Sequence, residues 1–307
     1  VVHCYLLLGA GPVTLVDTGS GFGDSTPQLM AGIASLRTSF GEPVSAHDIE
    51  RVIITHGHLD HFGGLAQLSG PITAKVGIHE LDRWVLVSYE ERVIVATKAM
   101  GFYLEQAGVP EPDRRQLLEM YGSGKKHLRS VPVDFTLFDG QVLDGIEVIH
   151  TPGHCPGQVC LKIGDVLLSA DHVLPRTTPH QNPESITAWT GLGHYLDALV
   201  KVAKVEGIRL ALGGHEQPIE RFYQRIEEIR VDHERKLDRI LGLLESASTI
   251  QELRERMYPR VGGWDVLLAL TEIGAHVEYL YERGALRVVN VEQLEREANP
   301  ALRYVRR

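Results

Sequence analysis

The stretch "VIITHGHLDHFGGL", residues 52–65, sets His56, His58, Asp60 and His61 within six residues, directly behind an apolar β-branched run. A turn made only for solubility would use Lys and Glu. Imidazole and carboxylate are instead the ligand types that hold zinc, iron or manganese. The spacing of two, two and one residues in a turn after a strand excludes the helical H-E-x-x-H arrangement.

The same placement recurs along the chain. Asp17 follows "VTLV", His154 follows "EVIHTPG", Asp171 follows "VLLSA" and His215 follows "LALGG". Parallel strands would deliver all of these residues to one edge of a sheet, where α/β proteins build their sites. Gly57, Gly63, Gly64, Gly153, Gly213 and Gly214 permit tight backbone around a crowded centre. His56, His58, Asp60, His61, His154, Asp171 and His215 are too many for one tetrahedral ion and suit two ions that share a carboxylate.

The whole chain narrows the class. Its 307 residues, 43% hydrophobic and 23% charged, can bury a full core as one large domain or two smaller ones. No apolar run approaches the ~20 residues of a membrane span. No signal peptide is visible, but the chain opens "VVHCYLLL" without Met and already in a strand pattern, which leaves open whether residues precede Val1. Cys4, Cys155 and Cys160 make no disulfide framework, so a cytoplasmic location is expected. The net charge of −9 argues against nucleic acid as the main partner, because neutralising phosphates needs a basic face. A small-molecule substrate is expected, without a membrane partner, and a homodimer is left open.

Strand-like runs punctuated by Gly, Pro and Asp alternate with helical patterns at residues 26–40 and 195–205, which predicts an α/β layered protein. Residues 81–128 read as a helical insertion, broken at "GVPEPD" and rich in large side chains: Trp84, Tyr89, Met100, Phe102, Tyr103, Met120 and Tyr121. This segment is expected to serve both as core or interface and as lid. From residue 219 onward apolar residues recur at helix spacing, and Thr249 with Glu252 predicts a capping box. A further helix runs over residues 264–283 up to Gly284, followed by a strand at "ALRVVNV". That order predicts a winged-helix-like unit, so the expected domains are 1–220, carrying the insertion, and 221–307.

"THGHLDHFGG" resembles the T-H-x-H-x-D-H-x-G-G signature of the metallo-β-lactamase superfamily, and "LVDTG", "TPGHCPG", "SADH" and "LGGHEQP" fall in that family's order. The resemblance spans roughly residues 4–218 apart from the insertion. It implies an αββα sandwich with a dinuclear site at one edge. By position, His56, His58 and His154 would hold one ion, Asp60, His61 and His215 the second, with Asp171 bridging and Asp17 orienting the site from behind. Two divalent ions per chain are implied, zinc foremost, with manganese or iron as alternatives. "SADHVLPRTTPH" and the C-terminal helical unit are similar to the branch of lactamase-β-like protein 2. Ala170 stands where Gly is frequent, and "GGHEQP" replaces the usual P-G-H-G-x-P; neither departure removes a ligand. Glyoxalase II is similar in the first motif, but its glutathione-binding elements are not recognisable.

The resemblance implies a hydrolase in which a metal-bridged hydroxide attacks an acyl thioester, ester or lactone. Asp60 and Asp171 carry the catalysis, Asp60 as ligand and proton acceptor. The alternatives are a metal-dependent ribonuclease or phosphodiesterase, and a mononuclear iron persulfide dioxygenase. A true β-lactamase fits less well, since the insertion and C-terminal unit are foreign to that group. His172, Arg176 and Tyr195 are candidates to line a substrate pocket, with His180 and His194 behind them. Cys155 reads as a buried filler beside His154. His47, His79, His127, His150, His233 and His276 have no motif around them and read as structural.

Overall fold

The computed structural model describes residues 1–9, 11–68, 70–123 and 128–307. His127 and residues 124–126 at the far end of the expected insertion lie outside the described residues.

The short β-branched runs pair into two five-stranded sheets. The first joins β1 (Tyr5–Leu7), β2 (Thr14–Val16), β3 (Arg51–Ile54), β4 (Lys75–His79) and β5 (Phe135–Leu137) in that order. The second joins β6 (Val142–Leu143), β7 (Ile146–His150), β8 (Val159–Ile163), β9 (Val166–Ala170) and β10 (Leu210–Gly213), again as successive neighbours. In the first sheet β2 to β5 run parallel, with β1 antiparallel at the edge. In the second sheet the ligand-bearing strands are not all adjacent parallel neighbours. β8 is antiparallel to both β7 and β9, and only β10 is parallel to its neighbour. The consequence for the site is nonetheless the expected one. β7, β9 and β10 share one direction, so the residues following them emerge at the same end.

The sheets pack face to face. Val16, Ile53 and Leu137 from the first meet Ile146, Val148, Val159, Leu161 and Leu168 from the second in one buried cluster. This is the expected sandwich: alternate residues of each strand bury one face, and interdigitation of the two inner faces makes the core. At one end the buried Arg51 is paired rather than left charged and alone. It donates to Thr14 Oγ1 at 2.8 Å and to Asp144 Oδ2 at 2.7 Å.

The chain divides into two compact units. One comprises Val1–Arg92, Leu128–Pro179 and Ala198–Ile226; the other comprises Val93–His127, His180–Asp197 and Glu227–Arg307. Most of the predicted insertion therefore groups with the C-terminal helices and not with the sheets. The physical reason is a second core. Met100, Tyr103, Leu104 and Leu117 of the insertion bury against Ile240, Leu253, Leu270, Ile273 and Val277. Tyr103 also donates to the Leu270 carbonyl at 2.7 Å, and Gly274 leaves the space its hydroxyl occupies. Of the expected large residues, Trp84 and Phe102 stay exposed. The capping box forms as predicted, Glu252 N–H donating to Thr249 Oγ1 and Thr249 N–H to Glu252. After the helix Trp264–Glu282 come β11 (Leu286–Val288), a short helix Val291–Arg296 and β12 (Tyr304–Arg306), the two strands pairing antiparallel. Among the described residues no helix is long and apolar enough to cross a membrane.

Several buried histidines are held neutral. Burial pushes His79 down to about 4, helped by His150 stacked on it at 4.0 Å. Burial pushes His233 down to about 3, with Glu272 opposing and His276 and Lys236 reinforcing. An unfolded histidine titrates near ~6.5. Between the folded and unfolded values the unfolded chain binds more protons, so stability rises with pH there and is lost as pH falls from ~6.5 towards ~4. The urea midpoint of chelator-treated protein should therefore drop over pH 7 to 4.5, less steeply in His79→Gln; a flat profile contradicts this account.

Candidate metal centre

Asp17 lies one residue past β2 and is buried with φ +60, a backbone region that Asp tolerates better than most residues. Its carboxylate accepts from the Thr55 amide and the Thr55 hydroxyl, both at 2.8 Å, and from His61 Nδ1 at 2.7 Å. One side chain from the end of β2 thus holds the loop leaving β3. Close approach of backbone completes the fit: a Cβ on Gly64 would lie 2.2 Å from the Thr18 carbonyl oxygen.

These hydrogen bonds assign the imidazole tautomers. His61 gives its Nδ1 proton to Asp17, which turns Nε2 towards Asp171 Oδ2 at 3.5 Å and Asp60 Oδ2 at 3.8 Å. Thr55 Oγ1, donating to Asp17, accepts from His56 Nδ1 at 3.1 Å and leaves His56 Nε2 facing His58 Nδ1 at 3.1 Å. His215 gives its Nδ1 proton to the Val1 carbonyl at 2.8 Å, so its Nε2 faces Asp60 at 3.2 Å and Asp171 at 3.3 Å. His154 Nε2 stands 3.8 Å from Asp171 Oδ2.

The result is three overlapping groups, within each of which the ligand atoms lie within 4.8 Å of one another: His56, His58 and His154; His56, His61 and Asp171; Asp60, His61 and His215. All seven candidate ligands from the sequence are therefore brought together, with Asp17 behind them. His61 Nε2 and Asp171 Oδ1 are buried without a hydrogen-bond partner of normal geometry. Buried polar atoms left in that state are costly unless something else satisfies them, and converging lone pairs of neutral imidazole and carboxylate suit a divalent cation.

The electrostatics agree. Hydrogen bonds that His215 donates to Asp171 and Asp60 push it up to about 10. Burial disfavours charge on His61, but Asp17 and Asp171 outweigh it and hold the group well above its ordinary value. On the other flank burial drives His58 down to about 3 and keeps His56 well below its usual range. Burial would raise Asp171, yet His215 and His61 hold it ionised. The site combines ionised carboxylates with imidazoles neutral on one side, and it favours positive charge at its centre.

One supporting residue escaped the sequence reading. Asp82, fully buried just after β4, accepts from Gly57 N–H at 2.8 Å and Gly157 N–H at 2.9 Å. It ties the loop carrying His56 and His58 to the loop carrying His154. The signal was available: "HELD" is another acidic residue shortly after a strand run. Loss of such outer supports typically costs 10–100-fold in metal affinity. Asp82→Ala should weaken zinc binding by about that factor in a competing-chelator titration while the fold persists. Gly214→Ala should do more, since its Cβ would stand 2.4 Å from Asp171 Oδ1 and 2.7 Å from His61 Cε1. Stoichiometric metal in Gly214→Ala would refute this geometry.

The expected pocket residues part company. Arg176 is largely exposed, its Nε 3.9 Å from Glu216 Oε2. His172 is fully buried, and burial drives it to about 3. Tyr195 is also fully buried, in the second unit, edge-on to His233 at 5.4 Å. His180 lies 2.9 Å from Thr271 Oγ1, and His194 pairs with Glu184 at 3.1 Å. Cys155 is buried, as expected of a filler, with its thiol pushed well up by burial. His233, Glu272 and His276 form a further ligand-type group that the sequence did not suggest. Lys236 Nζ stands 2.6 Å from Glu272 Oε1, so that carboxylate already has its cation.

Comparison with known proteins identifies the family. A profile described as Metallo-beta-lactamase superfamily matches residues 1–215. Probable metallo-hydrolase YqjP of Bacillus subtilis (strain 168) is 24% identical over 304 residues, covering 93% of this chain and 89% of that protein. The crystal structure of a metallo-beta-lactamase family protein from Thermus thermophilus is 29% identical with a TM-score of 0.80, covering 100% of this chain and 94% of the other. A Beta-lactamase domain protein from Burkholderia ambifaria, 22% identical with a TM-score of 0.76 over 100% and 87% of the two chains, shares the fold. With its sandwich, its clustered histidines and aspartates and a profile match over most of its length, this chain belongs to the metallo-beta-lactamase superfamily.

Proposed function

We propose that the chain is a metal-dependent hydrolase that holds two divalent cations, zinc foremost, and cleaves an acyl thioester, ester or lactone. The observation that carries this reading is the pair of ligand groups, His56–His58–His154 and Asp60–His61–His215, with Asp171 within 4 Å of His61, His154 and His215. In this reading each group would hold one ion, and Asp171 would contribute to both. Bound there, such cations supply a Lewis acid and a water acidic enough to attack near neutral pH.

The chain's own residues do the rest. Asp17, through Thr55 and His61, and Asp82, through Gly57 and Gly157, keep the imidazole nitrogens aimed inwards. The Asp60 side chain is 44% exposed, against 10% for Asp171, and in this reading Asp60 is the carboxylate that takes a proton from an attacking water. Support for a carbonyl substrate with an apolar part comes from the short helix Arg83–Val87. It follows Asp82 directly, sets Val85 Cγ2 3.1 Å from where a Cβ on Gly57 would stand, and leaves Trp84 59% exposed. We assign catalysis to residues 1–220 and an accessory, winged-helix-like role to residues 221–307.

The test is turnover of a panel by chelator-free protein, with and without added zinc or manganese. The panel holds acyl thioesters, a lactone, a simple phosphodiester and a short RNA, with Asp171→Ala alongside. Expected are carbonyl turnover and metal content that both collapse in Asp171→Ala, with turnover down by at least ~10³-fold. Asp171→Ala that keeps full metal and activity removes the bridging assignment. Cleavage confined to the phosphodiester or RNA transfers the function to nucleic acid. Near-stoichiometric iron with oxygen uptake and no hydrolysis makes the chain a persulfide dioxygenase.

A further inference from the structure

The metal centre is closed on one side and open on the other. The side chains of His61, His154 and Asp171 are 0%, 8% and 10% exposed, while His215 and Asp60 are 26% and 44% exposed. The residue after His215, one of the two more exposed ligands, is Glu216, whose φ is +66. Glycine takes that conformation without steric cost, whereas a residue with a side chain pays for it. Here the side chain is used. One carboxylate oxygen of Glu216 accepts from Arg176 N–H at 2.9 Å and Thr177 N–H at 3.4 Å, and the other accepts from the Thr177 hydroxyl.

The same segment is held from its other face. Arg225 is buried and donates to the carbonyls of Leu174 at 2.7 Å, Arg176 at 3.0 Å and Thr177 at 3.1 Å. Amides are bound by Glu216 and carbonyls by Arg225, so the backbone three to six residues beyond Asp171 is clamped on both sides. The side chain this clamp displays is Arg176, 75% exposed. A guanidinium offers a planar fork of donors that matches a carboxylate or phosphate. A buried arginine and a strained glutamate spent on fixing one exposed arginine are not explained by packing.

We infer that Arg176 recognises an anionic group of the substrate at the open edge of the metal centre, and that Glu216 is the positioning residue that holds it there. This rests on the hydrolase reading and narrows its substrate class to an acyl compound carrying a carboxylate or phosphate a short distance from the scissile carbonyl. Glu216 acts through the loop and touches no reacting atom.

The experiment uses the full zinc-reconstituted chain as wild type, Glu216→Gly, Glu216→Gln, Arg176→Ala and the double variant E216G/R176A. Amide hydrogen exchange reads the clamp without reference to activity: exchange at Arg176 and Thr177 should accelerate at least ~10-fold in Glu216→Gly, less in Glu216→Gln and not in Arg176→Ala. Steady-state kinetics use two thioesters with one acyl group, one leaving as 3-mercaptopropionate and one as neutral N-acetylcysteamine. KM for the anionic thioester should rise about 10–100-fold in Glu216→Gly and Arg176→Ala, kcat moving far less, with partial recovery in Glu216→Gln. The double variant should be no worse than Arg176→Ala, because both act through one contact. Equal losses on both thioesters, losses that multiply in the double variant, or an unaltered exchange rate in Glu216→Gly would each overturn the inference. If wild type turns over neither thioester, the thioester part of the hydrolase reading fails separately. Calorimetric binding of inorganic phosphate then decides: weakening of ~10-fold in both single variants sustains the anion site, and equal affinity ends it.

Discussion

The carboxylate of Asp17 is the constraint on which the metal centre depends. A buried carboxylate survives only if its lone pairs are filled, and three donors fill it: the Thr55 amide, the Thr55 hydroxyl and His61 Nδ1. All three lie in the segment leaving β3, so satisfying one charge at the end of β2 fixes the loop of the neighbouring strand. The same contacts settle which nitrogen of His56 and of His61 faces inwards. Without Asp17 the histidines would still be adjacent in sequence, but their tautomers and ring directions would not be set.

The site is built at the meeting of two sheets of different character. β2 and β3 are parallel neighbours, so their ends deliver Asp17 and the histidine loop side by side. In the second sheet β8 reverses direction between β7 and β9, and the site is spared because the loops that matter leave β7, β9 and β10. Asp82 and Gly214 show how little slack remains. Asp82 spans two ligand loops with one carboxylate, and Gly214 has no room for a methyl group beside Asp171. The second unit is stabilised by its own core of apolar helix faces, in which insertion and C-terminal helices share the burial.

Much of this was legible from the chain alone. The ligand types at 56, 58, 60 and 61, each further ligand behind its own strand run, the capping box at Thr249 and the general order of strands and helices are local features. Alternation and helix spacing are set by neighbours a few residues away, and capping by neighbours three apart. Those signals survive whatever the rest of the chain does.

What the sequence could not carry was pairing between distant segments. That β8 runs against its neighbours, that residues 93–123 bury with the C-terminal helices, that Tyr195 and His172 are sealed from solvent, and that Asp82 and Glu216 clamp loops far from them in sequence are all decided by tertiary structure. The reason is physical. A side chain's periodicity says which face it prefers, but the surface it finally covers depends on which apolar faces and unfilled polar groups the whole chain brings within reach. The ligand-type residues were determined by the sequence itself; their tautomers, their supports and the difference in exposure between the two sides of their cluster exist only once the strands have met.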